Sequence, residues 1–346
     1  MVKRAAKPSE ETRQTVGIDI GYGVTKVATA NTQVSFPSVW GAAREVKFRS
    51  EELAAKYPGD QVSDTVGRWF VGDLALSQLP GGLIYDLRGR SSDDDMLGNS
   101  ARIRFLQTAL GKLYPAHHGD VIHFEIATGL PVDHMRNAAA FKAALMGTHL
   151  IQTDTAEFVA NIANVYVMPQ PYGTLYANSL TANGRSNRAH TASRTGVIDI
   201  GTFTVDAALD VDGEYIDALS GSVETGVYIV RDAIAAQYEA DHQQKPHYSS
   251  IETILKNKCI KVRGQMWDYG ELVEEASNNL RMAVLRLMND RWERGANVDV
   301  IYVSGGGAAL VYKAIKGAYP QAVLTDNPQM ANAQGYLQYA LFARSE

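Results

Sequence analysis

The sequence predicts an α/β protein made of two similar domains that face one another. Two short segments, 17–26 and 197–206, have nearly the same pattern: an apolar run that ends in Asp, then Gly, then small or hydroxylated residues. Their aspartates, Asp19 and Asp199, are separated by about half of the 346 residues. Strand-like and helix-like segments alternate along the chain, which is typical of α/β architecture with mostly right-handed crossovers. A chain of this length has room for two domains of ordinary size.

Composition and charge narrow the class of protein further. The chain is 45% hydrophobic and 21% charged, which is ordinary for a globular protein. Its net charge of −5 provides no broad attraction to nucleic acids or anionic membranes. No apolar run reaches the ~20 residues of a membrane helix, and no signal-peptide core stands near the N-terminus. Cys259 is the single cysteine, which excludes an internal disulfide and fits a reducing compartment. We therefore expect a cytoplasmic protein that binds neither nucleic acid nor membranes directly.

The first half of the sequence predicts alternating strands and helices after a polar N-terminal segment. Residues 1–14 are charged and polar without periodicity, which predicts a flexible N-terminus. The elements then predicted are two strands within 15–30 joined at Gly21–Gly23, a strand entering a turn at 68–75, a loop at 91–95, a helix at 99–114, a strand at 121–128, a helix at 133–147 and a strand at 165–168.

The second half repeats this alternation after an exposed loop. Residues 177–195 are rich in Ser, Thr, Asn, Gly and Arg, and they predict a connection between domains. The elements predicted after it are strands near 197–206, a strand at 215–220, helices at 227–239 and 271–289, a buried strand at 298–304 that opens into three glycines and a helix, and a last helix at 332–343.

The first Asp-Gly segment has the residue types of a phosphate-binding hairpin. Gly21 and Gly23 let the backbone approach a phosphate closely and turn N–H groups toward it. Lys26 could place a cation near the phosphates. Asp19 would repel a bare polyphosphate, so we expect it to hold Mg²⁺ through water. Taken alone, this pattern also fits a simple hairpin.

The second segment and a third glycine-rich turn strengthen that interpretation. Thr202 and Thr204 add hydroxyl donors for phosphate oxygens, and Asp199 supplies an opposing carboxylate. The turn Gly305–Gly307, between a buried strand and a helix, lets a flat purine or ribose lie against bare backbone. Two hairpins could thus bind a phosphate chain and its metal ion from opposite sides.

The order of these segments resembles the five-motif nucleotide site of the actin, hexokinase and heat-shock chaperone superfamily. Within it, the chain is most similar to the ParM/StbA prokaryotic actin-like proteins of plasmid segregation and their archaeal relatives. The resemblance covers about residues 15–342. The motifs that carry it are Asp19-x-Gly21-x-Gly23-x-x-Lys26, Gln170 in a Pro-Gln-Pro turn, Asp199-x-Gly201-Thr202-x-Thr204, Ser304-Gly305-Gly306-Gly307-Ala308 and Asn332-Ala333-x-Gly335.

The resemblance implies an actin-like α/β fold: two similar domains, each with a mixed β-sheet flanked by helices, and a nucleotide in the cleft between them. Domain I would comprise 15–185 plus 326–346, and domain II 186–325. Asp19 and Asp199 would orient Mg²⁺ through water, and Gln170 would position the attacking water as the catalytic residue. The second linking segment, around Asn332 and Gly335, would act as a hinge. The implied nucleotide-binding residues are Asp19, Gly21, Tyr22, Gly23, Thr25, Lys26, Asp199, Gly201, Thr202, Phe203, Thr204, Gly305, Gly306, Gly307 and Ala308.

Two aromatic residues depart from the family pattern. Tyr22 stands where eukaryotic actin has a small hydroxyl residue, so a contact to the terminal phosphate would come from backbone or from Thr25. Phe203 occupies a place that is often small. Lys258, Lys261 and Arg263 are candidate ribose contacts, although a solvated basic surface explains them more simply.

The function implied is a slow ATPase that polymerises into filaments, either for plasmid DNA segregation or for a related cytoskeletal task. ATP and Mg²⁺ would be its ligands, with GTP as the alternative nucleotide. Its partners would be further copies of itself and a DNA-bound adaptor protein. The alternative is a sugar-type kinase of the same superfamily, for which Asp133 is the candidate base, although no Asn/Asp-rich sugar-binding pattern surrounds it. A non-polymerising regulatory or chaperone ATPase is a third possibility, but no further substrate-binding domain is evident.

Overall fold

The computed structural model describes residues 13–45, 55–87, 99–295 and 297–345. Residues 1–12 of the predicted flexible N-terminus and the predicted loop at 91–95 lie outside this part of the chain. Gln14 is the first residue of a strand rather than part of the lead-in.

The described residues of the first half of the chain form ten strands. They are β1 (Gln14–Ile20), β2 (Val24–Ala28), β3 (Gln33–Pro37), β4 (Val39–Ala42), β5 (Gln61–Ser63), β6 (Arg68–Val71), β7 (Tyr85–Asp86), β8 (His118–Leu130), β9 (Gly147–Gln152) and β10 (Glu157–Pro169). Six of them form a mixed sheet in the order β3-β2-β1-β8-β10-β9. In it β8 runs parallel to β1 and β10, while the outer pairs are antiparallel. Strands β5-β6-β4-β7 form a smaller sheet beside it.

The second half supplies a sheet of the same design. Its strands are β11 (Arg194–Ile200), β12 (Val205–Val211), β13 (Glu214–Tyr215), β14 (Gly221–Val223), β15 (Cys259–Val262), β16 (Gln265–Asp268), β17 (Val300–Ser304) and β18 (Ala322–Leu324). The main order is β13-β12-β11-β17-β18. As in the first sheet, a central strand has an antiparallel hairpin partner on one side and a parallel strand on the other. Strands β15 and β16 form a separate two-stranded ribbon.

Helices cover these sheets and bury their apolar faces. In chain order they are α1 (Gly72–Gln78), α2 (Asn99–Leu113), α3 (Ala138–Leu145), α4 (Gln170–Ser179), α5 (Tyr228–His242), α6 (Tyr248–Asn257), α7 (Gly270–Trp292), α8 (Ala308–Ala318) and α9 (Ala331–Ser345). Ile18, Phe105 and Ile126 lie in the core of the first sheet, and Ile198, Leu280 and Ile301 lie in the core of the second. No helix in the described part of the chain is both long and apolar enough to cross a membrane. The predicted fold class, two similar domains with mixed sheets flanked by helices, is confirmed.

Three predicted elements were only partly right. Residues 72–75 continue into α1 instead of a turn, because the Asp60 carboxylate accepts a hydrogen bond from the Leu74 N–H (3.2 Å) at the start of that helix. The helix predicted at 133–147 is a 3₁₀ segment followed by the shorter α3. The strand predicted at 215–220 ends at Tyr215. Its remainder forms a turn that the Ser220 hydroxyl closes by donating to the Ile216 carbonyl (2.8 Å).

Candidate functional site

The first hairpin joins β1 to β2 and carries a buried carboxylate next to a lysine. Asp19 pairs with Lys26 across the two strands, and the Lys26 Nζ lies 2.8 Å from Asp19 Oδ2. The Asp19 side chain is only 2% exposed. Burial alone would lower the pKa of Lys26, but the attraction of Asp19 outweighs it and raises that pKa. Lys26 is therefore charged and already bound to the aspartate.

The second hairpin joins β11 to β12 in the same register but with a different charge. Asp199 pairs with Asp206, which stands where the first hairpin has its lysine. Asp206 accepts hydrogen bonds from the hydroxyls of Thr204 (2.8 Å) and Ser222 and from the Val132 N–H (3.1 Å) of the first domain. These donors compensate part of its burial, yet burial still raises the pKa of Asp206.

The two hairpins meet and line one cavity of about 390 Å³. A Cβ atom on Gly23 would lie 2.2 Å from Thr202 Oγ1, so only glycine allows the hairpin tips to come this close. Most of the site residues predicted from the sequence line this cavity. They are Asp19, Gly21, Tyr22, Gly23, Lys26, Gln170, Asp199, Gly201, Thr202, Thr204, Gly305 and Gly306.

Four predicted site residues do not line the cavity. Thr25 is fully buried, and its hydroxyl pairs with that of Ser38 (2.9 Å), because alternate residues of β2 face opposite sides of the sheet. Phe203 packs instead between aromatic rings. Gly307 and Ala308 belong to the start of α8, where the Gly307 N–H donates to the Ile200 carbonyl (3.0 Å). Thr25 therefore cannot supply the phosphate contact expected from it.

An aromatic contact bridges the two hairpins. The ring of Tyr22 lies 5.2 Å from that of Phe203, which lies 5.1 Å from that of Tyr228 at the start of α5. Both residues that depart from the family pattern thus pack against each other across the cleft. This contact takes the place of the small side chains expected at the hairpin tips.

Asp19 and Asp199 share the cavity, and their carboxylates repel each other. Burial, and then repulsion by Asp19, raise the pKa of Asp199 to about 7. The Asn332 amide donates to Asp199 Oδ2 (2.7 Å), and this hydrogen bond offsets only part of the rise in pKa. A bound cation would relieve the repulsion. In the described part of the chain, no three His, Cys, Asp or Glu side chains cluster closely enough to hold a metal ion directly.

Gln170 is the first residue of α4 and faces Asp19. Its side-chain amide nitrogen donates to Asp19 Oδ1 (3.2 Å), and the side chain is buried. Because a carboxylate only accepts, the amide nitrogen faces Asp19 and the amide oxygen is left to accept from another donor. The Gln170 backbone carbonyl accepts from the Tyr336 hydroxyl (3.2 Å), which fixes the start of α4.

The second linking segment does more than the hinge expected from its small residues. Helices α4 and α9 cross so closely that a Cβ on Gly335 would lie 1.6 Å from the Gly173 carbonyl oxygen. Asn332 holds Asp199 with its amide nitrogen, while its amide oxygen accepts from the N–H (3.1 Å) and hydroxyl (2.8 Å) of Thr174. The helix crossing thus also positions a carboxylate of the cavity, and the small-residue motif gave no sign of this.

Sequence reasoning missed the far wall of the cavity. Lys258, Lys261 and Arg263 do not line it. Lys258 follows α6 and has a left-handed backbone conformation, while Lys261 and Arg263 belong to the β15–β16 ribbon. The wall is formed instead by α5, α6, α8 and one residue before α9, namely Val227, Arg231, Tyr248, Glu252, Leu255, Lys256, Ala309, Leu310 and Gln329. Arg231 Nε lies 2.8 Å from Glu252 Oε1 within this wall. Asp133, the candidate kinase base, is exposed and lies outside the cavity lining.

Comparisons with known proteins agree with this architecture. The family model of the actin-like protein N-terminal domain matches residues 17–173, and that of the archaeal actin homologue MreB-like C-terminal domain matches residues 197–317. No curated protein matches the chain.

Among solved structures, a 15-stranded ParM filament from Clostridium botulinum aligns with a TM-score of 0.75 and 22% identity, covering 95% of this chain and 99% of that one. The archaeal actin homologue Ta0583 aligns with a TM-score of 0.74 and 20% identity, covering 94% and 99%. A complex of the same homologue with ADP aligns with a TM-score of 0.71 and 17% identity, covering 96% and 100%. These likenesses establish the fold. The two domain models, which between them take in most of the sequence, place the chain among the actin-like proteins.

Proposed function

We propose that the chain is an actin-like ATPase that binds Mg-ATP in the cleft and polymerises into filaments. The observation that carries the proposal is that Asp19 and Asp199, far apart in sequence, line one cavity together with the glycine turns of both hairpins. Polymerisation is supported by relatives of the same fold that were solved as ParM and Alp12 filaments. Plasmid segregation through a DNA-bound adaptor, in the cytoplasm, is the setting we infer from the ParM likeness.

The phosphates would lie between the hairpins. Backbone N–H groups around Gly21, Gly23 and Gly201 and the hydroxyl of Thr202 are the donors that this part of the cavity offers, whereas the Thr204 hydroxyl already donates to Asp206 (2.8 Å). Mg²⁺, held through water by Asp19 and Asp199, would supply neutralisation of the phosphate charge. Lys26 would stay bound to Asp19 (2.8 Å) and would not be free to contact the phosphates.

The nucleoside would lie on the opposite side, against the backbone of Gly305 and Gly306. Leu255 and Leu310 offer apolar surface there, and Glu252 offers a carboxylate that can accept from hydroxyl or amino groups. Both ATP and GTP fit this description, with ATP as the proposed nucleotide.

Hydrolysis would depend on Gln170. With its amide nitrogen on Asp19, its amide oxygen can orient a water but is a poor base, so the reaction would be slow. Slow hydrolysis suits a filament whose lifetime is set by its nucleotide. The kinase alternative has less support, because Asp133 does not face the cavity.

Light scattering with Mg-ATP tests the proposal. Electron microscopy of the same samples shows whether the scattering particles are filaments. We expect scattering above a critical protein concentration, filaments on the grids, and loss of both when EDTA removes Mg²⁺. An Asp19→Asn variant is expected to lose both as well. Absence of filaments at every concentration, with release of ADP that depends on an added sugar, would establish the kinase instead.

A further inference from the structure

A single imidazole ring joins the two domains across the mouth of the cleft. His247 immediately precedes α6 in the second domain, and its Nε2 lies 2.8 Å from the backbone carbonyl oxygen of Leu76 in the first domain. Leu76 belongs to α1, which packs against the small sheet of that domain. The contact therefore connects parts of the molecule that move apart if the cleft opens.

The neighbours of His247 fix its tautomer. The backbone N–H of Ser249 lies 3.4 Å from Nδ1, and the Ser249 hydroxyl lies 2.9 Å from the same atom. Because a backbone N–H only donates, Nδ1 must accept, and the proton of the neutral ring must reside on Nε2. Nε2–H then donates to the Leu76 carbonyl, which only accepts. One neutral ring satisfies both contacts at once.

The contact joins the ends of two helices. The Leu76 carbonyl would ordinarily accept from the N–H four residues later, but that residue is Pro80, which has none. The C-terminal end of α1 therefore offers an acceptor with no partner in its own helix, and such ends carry partial negative charge. His247 caps the N-terminal end of α6 with Nδ1 and donates to the C-terminal end of α1 with Nε2.

Helix α6 also reaches the nucleotide cavity. Glu252, Leu255 and Lys256 line that cavity, one to two turns after His247. Ile254 on the same helix is fully buried among apolar residues of α5 and α7, which holds α6 in the second domain. A displacement of α6 would therefore change the contact with Leu76 and the cavity wall together.

We propose that His247 is a latch that holds the cleft closed and slows the release of a ligand bound beneath it. The inference rests on the proposed function only in taking that ligand to be a nucleotide. A mechanism of this kind would couple occupancy of the cavity to the closed arrangement of the two domains.

His247→Asn separates the latch from helix capping. Asn is among the best N-cap residues, so α6 keeps its cap, but the side chain is too short to reach Leu76. His247→Ser is a second variant of the same kind. The matched control is His149→Asn, since the His149 Nε2 contacts the Leu145 carbonyl (2.9 Å) entirely within the first domain.

Distances across the cleft provide a readout that needs no nucleotide. Val66 and Met266 are exposed on different domains. Spin labels at Val66→Cys and Met266→Cys, in a Cys259→Ser background, therefore report the distance across the cleft by pulsed electron paramagnetic resonance. We expect a longer and broader distance distribution for His247→Asn and no change for His149→Asn. An unchanged distribution for His247→Asn would overturn the latch.

The second readout is dissociation of a fluorescent ATP analogue from the Mg-loaded protein. Loss of one hydrogen bond predicts dissociation about 3- to 10-fold faster for His247→Asn, with His149→Asn like the parent. Equal rates in all three proteins would also reject the proposal. If the parent binds no nucleotide at all, the proposed function fails, and the distance measurement still decides the latch.

Discussion

Replacing Asp199 by Asn is expected to stabilise the nucleotide-free protein while abolishing its response to Mg-ATP. In the folded chain Asp199 is buried close to Asp19, and burial followed by that repulsion raises its pKa to about 7. Asn has nearly the same shape, and its amide oxygen can still accept from the Asn332 amide, as Asp199 does now. The substitution therefore removes the charge and leaves the packing intact.

The magnitude and its sign follow from proton linkage. A carboxyl whose folded pKa is raised binds more protons when folded than when unfolded, so stability falls as pH rises from about 4 to about 7 and is constant above. Raising the pKa of Asp199 from 3.8 to about 7 corresponds to about 4 kcal/mol lost at pH 8. At pH 5 the loss is below about 2 kcal/mol, since Asp199 is then still protonated in the folded chain.

Urea unfolding of both proteins at pH 5 and pH 8, without nucleotide, measures this difference. Asp199→Asn is expected to be more stable than the parent at pH 8, and the gap is expected to narrow at pH 5. Asp210→Asn is the control, because Asp210 is buried in the same domain but lies away from the cavity. Its carboxylate accepts a hydrogen bond from the Tyr172 hydroxyl (2.8 Å). If Asp199→Asn is less stable than the parent at pH 8, the charge argument for the cavity is wrong.

The same variant tests the role of the charge in binding. A ligand at one hundred times its dissociation constant stabilises a protein by about 2.7 kcal/mol. We expect Mg-ATP to raise the melting temperature of the parent and of Asp210→Asn but not that of Asp199→Asn. An equal rise in all three would show that Asp199 is not part of the proposed magnesium site.

Three further changes test other parts of the site. Gln170→Ala should slow phosphate release at least about tenfold in a coupled assay and leave filament assembly intact; unchanged release would remove its proposed role. Gly335→Ala should lower the unfolding free energy by more than about 2 kcal/mol in urea, because its Cβ would meet the Gly173 carbonyl, whereas Gly317→Ala, which meets nothing, should not. Asn332→Ala should lower it by about 1–3 kcal/mol, since the buried Thr174 N–H loses its acceptor; an unchanged midpoint would contradict this.

The sequence predicted the central elements of both domains because their patterns are local. The Asp-Gly hairpins follow from apolar runs that end at glycine, and α2 and α7 follow from their helical periodicity. Helix α1 could not be predicted in this way, since the carboxylate at its start comes from Asp60 on a separate segment. The predicted ends of β8 were wrong for the same reason, because the full length of this strand is set by its pairing with β10, a separate segment.

In the site, most residues of the recognised motifs could be predicted, including Gln170 of the Pro-Gln-Pro turn, and residues outside those motifs could not. Glu252 and Lys256 lie in an ordinary amphipathic helix, and nothing in their spacing distinguishes them from surface residues. Thr25 was misjudged because its motif says only that it follows the turn. The pleat of β2 then directs its hydroxyl to Ser38 and away from the cavity. The orientation of a side chain on a strand requires the register, which a motif does not contain.

The register also explains why the two halves of the site differ although their folds match. Asp19 pairs with Lys26, whereas at the equivalent place Asp199 pairs with Asp206. The first half is therefore neutral as a pair, and the second carries two carboxylates. Burial and the neighbouring carboxylates raise the pKa of Asp199, which lines the cavity. We therefore expect that a ligand bringing a hydrated cation would offset the charge of the second hairpin and draw the two domains together.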